Sequence, residues 1–448
     1  MGKYLKEFEL ISQYEEYINS DMAILPNVSI IKDDTMVHYN PKVPKGPNYL
    51  KFTAEEDNST ISLNDSTSPD IKYSLNDGEW TQWDYNAITL NTGDIVRMKG
   101  NNGDGFSTGS YSYNSFNMSG KIGASGNIMS LLYEDDFEGK LTIPCDYCFY
   151  DMFYGCESLT TAPELPATTL TAYCYQEMFN GCTSLTVAPK LPATTLSESC
   201  YSVMFNGCTA LTVAPKLPAT TLADYCYSSM FRNCTTLTVA PELPATTLTD
   251  SCYYSMFSGC TALTVAPELP TTILANGCYY SMFSNCTSLT VAPKLPATTL
   301  TNQCYQAMFS GCTALTTAPE LRATTLAIYC YYNMFLDCTA LTTAPELPAT
   351  TLTTKCYYQM FRDCTSLTVA PTLLATRLED YCYHYMFFGC SKLNYIKMLA
   401  TDISATECLS SWVYGVSSTG TFVKDPNMAS LPTGNSGIPT GWTVQDAA

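Results

Sequence analysis

A 26-residue unit repeats ten times between Cys148 and about Asn394, and this period constrains the chain more than any single residue does. The unit reads C-Y-x-x-M-F-x-x-C-T-x-L-T-x-A-P-x-L-P-A-T-T-L-x-x-x. Its first cysteine returns as Cys174, Cys200 and Cys226 and its second as Cys182, Cys208 and Cys234, and the two series run on to Cys382 and Cys390. About 26 residues bury too little apolar surface to offset the entropy of ordering them, so the units must stack.

A period of this length with leucines at fixed offsets belongs to leucine-rich solenoids, in which each turn is one strand and a returning segment. Leu185 and Val187 alternate with Thr186, the period-two pattern of a strand covered on one face. Pro189 and Pro192 cannot donate to a ladder, so the strand is short and the return extended. Met178 and Phe179 are expected on a single helical turn that faces inward. The end turns need caps. The candidates are Leu131 to Phe149 on one side and Leu399 to Trp442 on the other, where Cys408 keeps the period and its downstream partner is gone.

The run from Cys174 to Pro192, Cys-Tyr-x-x-Met-Phe-x-Gly-Cys-Thr-Ser-Leu-Thr-x-Ala-Pro-x-Leu-Pro, resembles the BspA-like (Treponema-type) leucine-rich-repeat family of gut Bacteroidales and their phages. The tail, Trp412 to Lys424 and Gly437 to Trp442, is similar to the C-terminal closure of those proteins. The unit departs from the commoner pattern, with cysteine where isoleucine is usual and Ala-Pro-x-Leu-Pro where a longer strand is usual. The resemblance implies a repeat fold for residues 128 to 448 and a surface that adheres.

Ahead of the repeat, Leu5, Phe8, Ile11, Tyr14 and Ile18 recur at three- and four-residue steps, an amphipathic helix over residues 3 to 19. Two short strands follow, around Val28 and Val37. Residues 48 to 127 alternate in short runs, with Asn76-Asp77-Gly78 as a hairpin signal, and predict a small β-sandwich. The expected fold class is therefore α+β with a repeat: a helix-strand arm (1–47), a small all-β sandwich (48–127), a leucine-rich-repeat solenoid of ten turns with its N-terminal cap (128–398), and a C-terminal cap (399–448).

The net charge of -19, with 22 Lys and Arg among 448 residues, repels phosphate backbones and argues against nucleic acid as a partner. No stretch of about 18 apolar residues exists, so membrane insertion is not expected. The first ten residues carry two lysines without an apolar signal region, and export through Sec is not expected either. The 22 cysteines could serve as disulfides, metal ligands or buried thiols. Only His38 and His384 could join them on a metal, and the Cys-x7-Cys spacing matches no common zinc module. Cysteine at aliphatic positions of a repeat reads as core, a structural thiol ladder made by Cys174, Cys182, Cys200, Cys208, Cys226 and Cys234. Gly105-Phe106-Ser107-Thr108-Gly109 matches a nucleophile-elbow string without a following helix. Glu and Lys interchange at one repeat position, as at Glu242 and Lys216, which marks an exposed face. No catalytic residue, metal or cofactor is expected.

Variation between turns points to a surface. Tyr254, Tyr280, Tyr332 and Tyr358 share one repeat position and predict an aromatic stripe, with large contact area at low entropy cost. A plain cover for the next turn would use the same rings. The expected function is a non-enzymatic virion structural or adhesion protein: the N-terminal region docks on a capsid or tail protein, and the solenoid binds host-surface glycan or protein. A BspA-like bacterial cell-surface adhesin and an intracellular protein-interaction scaffold are the alternatives. Self-association into a homo-oligomer stays open.

Overall fold

The computed structural model describes residues 28–32, 35–39, 47–428 and 430–447. The helix expected over residues 3 to 19 lies outside them. Backbone contacts divide the chain into Met1–Asn48 and Tyr49–Ala448. In the first unit β1 (Val28–Lys32) and β2 (Thr35–Tyr39) pair antiparallel, with Val28 opposite Tyr39.

The second unit begins with two sheets. One has the order β11-β10-β3-β8-β5-β6 and contains β3 (Leu50–Ala54), β5 (Lys72–Leu75), β6 (Thr81–Gln82), β8 (Ile95–Lys99), β10 (Ile122–Ser125) and β11 (Leu159–Thr161). The other is β7-β4-β9, from β4 (Ser59–Asn64), β7 (Ile88–Leu90) and β9 (Ser115–Ser119). Alternation decides which side is buried: Leu50, Phe52 and Ala54 of β3 are covered, as are Ile61 and Leu63 of β4. Phe52 and Phe116 meet across the two sheets with ring centroids 5.1 Å apart. Asn76 and Asp77 both take positive φ (49° and 60°), and Gly78 N–H donates to Leu75 O at 2.9 Å, a type I′ hairpin turn. The one helix among the described residues, α1 (Ser130–Tyr133), follows.

The repeats correct the expected fold class. No helix-and-strand leucine-rich-repeat solenoid forms. The Met-Phe segment is not a helical turn, because residues at four-residue intervals are left-handed: Tyr173 (φ 60°), Glu177 (φ 58°) and Gly181 (φ 77°) in one unit, with the same three places in the following ones. A left-handed residue every fourth position cannot propagate a right-handed helix. The backbone bonds alternate instead. Gln176, Met178, Asn180 and Cys182 donate three residues back within their own unit, while Tyr175, Glu177, Phe179 and Gly181 donate to carbonyls 25 residues ahead. Tyr175 to Cys200 is 3.1 Å and Phe179 to Met204 is 2.9 Å. The strand expected around Val187 is absent too. Strands form at this place only at the two ends of the stack, as β11 against β10 of the sheet and as β12 (Tyr395–Met398) beyond Asn394. Later units touch through isolated parallel bridges such as Val213 with Val239 and Val265 with Val291. Proline on the far side, at Pro215 and Pro241, removes the N–H that would extend them.

The interior is built of like on like. Tyr175 stacks on Tyr201 at 5.9 Å and Phe179 on Phe205 at 5.5 Å, both within 4° of parallel, and the Met, Leu and Cys rows are buried beside them. At the C-terminal end Trp412 stands in the methionine place, fully buried, and its Nε1–H donates to Gly437 O at 2.9 Å. The parallel strands β12 (Tyr395–Met398), β13 (Thr421–Lys424) and β14 (Thr443–Asp446) follow, and Trp442 Nε1–H donates to Ser417 O at 2.7 Å.

Met256 and Phe257 are both fully buried. Replacing both with alanine is expected to cost at least about 3–5 kcal/mol, read as a lowered midpoint in urea. An unmoved midpoint would refute their place in the packing.

Candidate functional site

The four tyrosines singled out from the sequence occupy one row. Each uses its N–H within its own unit and its C=O toward the preceding one: Tyr254 donates to Ser251 O and accepts from Ser229 N–H at 2.7 Å. Both backbone groups are thus fixed, and the rings fall into register. Tyr254 and Tyr280 stack at 4.6 Å, and Tyr332 and Tyr358 at 4.7 Å, all four half-buried. Gln306 separates the pairs and donates from Nε2 to the Tyr280 hydroxyl at 3.2 Å. His384 extends the second pair, 4.8 Å from Tyr358 and nearly parallel to it. Sequence reasoning left out Gln306 and His384, although both stand at the same repeat position and the register alone would have found them.

Two cations lie beside this row. Lys355 Nζ sits 5.2 Å from the Tyr329 ring centre and 5.1 Å from that of Tyr381, and it donates to the Tyr329 hydroxyl at 3.2 Å. The Arg362 guanidinium lies 4.9 Å over Phe388 and pairs with Asp363 at 3.2 Å. Burial raises the pKa of Tyr280, Tyr332 and Tyr358, and it lowers that of His384, so this edge presents neutral rings at pH 7. Because the rings lie face to face, what they turn outward is edges and hydroxyls.

The thiols Cys174, Cys182, Cys200, Cys208, Cys226 and Cys234 are all buried and unbridged. In the second series from Cys182 onward each Sγ–H donates to a phenylalanine carbonyl 29 residues back: Cys182 to Phe153 at 3.1 Å, Cys208 to Phe179 at 3.2 Å and Cys234 to Phe205 at 3.1 Å. Phe179 O therefore accepts twice, from Cys182 N–H and from the Cys208 thiol. Burial pushes Cys174 and Cys234 up to about 12, and Cys182, Cys200 and Cys208 well above the ordinary thiol value. Such thiols are poor nucleophiles. Cys145 is the exception: it is half-buried, and a hydrogen bond from Cys148 lowers its pKa against the opposing effect of burial.

Asp151 carries the most displaced carboxyl. It is 7 % exposed, its Oδ1 has no partner, and desolvation together with Glu177 raises it to about 7. No group of three or more His, Cys, Asp or Glu is placed to hold a metal among the described residues. Ser107 is fully buried and its Oγ accepts from Asn114 N–H, so the elbow string has no elbow. The surrounding loop is partly core, with Phe106 buried against Phe116 at 6.2 Å. No helix among the described residues is long and apolar enough to cross a membrane.

No protein-family model matches the chain, and neither a curated protein nor a solved structure resembles it at a significant level. Together with repeats that hold no helix and, between β11 and β12, no strand beyond isolated bridges, this corrects the BspA-like resemblance. The adhesion role drawn from it is corrected as well, whether in a virion or on a bacterial surface, because the leucine-rich-repeat face it required does not form. The scaffold alternative, which relied on the same face, falls with it.

Iodoacetamide is expected to alkylate Cys145 at least about tenfold faster than any repeat cysteine in the native protein, read by peptide mass spectrometry. Uniform labelling would contradict the burial of the thiols. Asp151 supplies a pH test. Its folded pKa exceeds the unfolded value of about 3.9, so its contribution to stability is full below that pH and is lost as pH rises to about 7. Asp151→Asn keeps a residue that tolerates the left-handed backbone (φ 56°). The Tm advantage of this variant should grow between pH 4 and 7 and then level; a constant difference would place the carboxyl in water.

Proposed function

We propose that this chain is a non-enzymatic recognition protein and that the row Tyr254, Tyr280, Tyr332, Tyr358 contacts a polypeptide ligand. The observation that carries this reading is the face-to-face stacking at 4.6–4.8 Å. Sugars stack on ring faces, and inside each stack those faces are already covered. Ring edges and hydroxyls suit a peptide surface, where tyrosine gives rigid amphipathic contact with little entropy to lose. Lys355 and Arg362 add charge at one end of the row, each held in place by aromatic rings.

Serine stands naturally at this repeat position in Ser202 and Ser228, so changing all four tyrosines to serine is expected to leave the fold intact. Peptides selected from a displayed random library on the full chain should lose at least about 2 kcal/mol of binding to that variant, near thirtyfold in Kd. Equal binding to both proteins would dismiss the row as the contact surface. A glycan array that bound the native chain and spared the variant would replace the peptide by a sugar.

A further inference from the structure

A second surface is independent of the tyrosines. Val187, Val213, Val239, Val265 and Val291 occupy one position in five consecutive units, and all are exposed, from 53 % at Val265 to 63 % at Val187. Isolated valines in water need no explanation, but a row repeated in register is a continuous apolar strip. Three residues farther along each unit stands an exposed charge: Lys190, Lys216, Glu242 and Glu268 in the first four of these. None of the four makes an ion pair within the described residues. Over units four and five a shallow groove of about 230 Å³ lies between Pro241, Glu242, Pro267 and Glu268.

The order of these charges, plus, plus, minus, minus, is antisymmetric about its midpoint. A second copy laid alongside in the same direction would set lysine against lysine and glutamate against glutamate. A copy turned by a two-fold axis between Lys216 and Glu242 sets Lys216 against Glu242 and Lys190 against Glu268. The same axis brings Val213 opposite Val239 and Val187 opposite Val265. The outward neighbours, Glu164 on one side and Lys294 on the other, continue the opposition of sign. The run of consecutive valines stops at Val291 toward the C-terminus, and valine returns only as Val369, 49 % exposed, in a unit whose charge place holds Thr372. Threonine replaces valine at Thr317 and Thr343, where the charges are Glu320 and Glu346, alike in sign.

We infer that the valine strip is the interface of an antiparallel homodimer, closed by that two-fold axis. Closure matters: a two-fold contact uses the same patch on both copies and stops at two. Complementary charge selects the antiparallel register, and the valines supply apolar area.

Sedimentation equilibrium of the full chain, at concentrations up to the order of 100 µM, should show twice the chain mass. Lys216→Glu should weaken the dimer at least about tenfold by setting like charges opposite each other. Adding Glu242→Lys to it should restore the affinity, since the double reversal recreates both pairs. Val213→Thr with Val239→Thr, the residue that the seventh and eighth units carry, should weaken association without touching the fold. A monomer at every concentration would overturn the inference. So would larger open-ended assemblies, or a double reversal no tighter than the single one.

Discussion

The fold of residues 148 to 415 depends on a division of backbone labour. Successive N–H groups in the cysteine segment point alternately into their own unit and into the next, and the left-handed residue at every fourth place makes the alternation geometrically necessary. Neither half suffices alone. The local bonds, such as Gln176 to Tyr173, close tight turns of three-residue reach, which hold little structure in isolation. The bonds to the next unit, such as Tyr175 to Cys200, exist only when that unit is present. Each unit is thus stabilised by neighbours rather than by itself, as stacked repeats generally are.

The cysteine series follows from this arrangement. A carbonyl at a turn has two lone pairs, and in Phe179 one is taken by the Cys182 amide. The Cys208 thiol meets the other from the next unit. An aliphatic residue would fill the volume and leave that lone pair unmatched, whereas a thiol fills it and donates weakly. Chemistry otherwise associated with cysteine is suppressed by the same burial, which disfavours the thiolate. At Cys408 the period continues, but Val416 takes the second place and Trp412 replaces methionine, so the last unit ends against the tail rather than against another copy.

Both surfaces proposed to bind arise because identical positions are brought into line. A tyrosine at one repeat position is unremarkable in a single unit. Stacked, two or three of them become a strip with defined edges. A valine beside a lysine likewise carries no message until its neighbours reveal an order of signs. In both cases the information lies in the variation between units, read along the stack rather than along the chain.

The sequence alone determined the 26-residue period and, with it, which residues lie beside which: Tyr254 beside Tyr280, Cys182 beside Cys208, Lys216 beside Glu242. The Asn76-Asp77-Gly78 hairpin was also legible, since both central residues belong to types that accept positive φ. The conformation of the repeat was not. Leucines at fixed offsets suggested a strand and a helical turn, yet Tyr173, Glu177, Val203 and Gln303 are left-handed, and nothing in their side chains announces it. Such a backbone costs each of them roughly 1–2 kcal/mol in isolation. Only the carbonyls of the next unit offset that cost, and they come from residues 25 places away. Local preference could not foretell it, because the deciding bonds are made only once the stack exists.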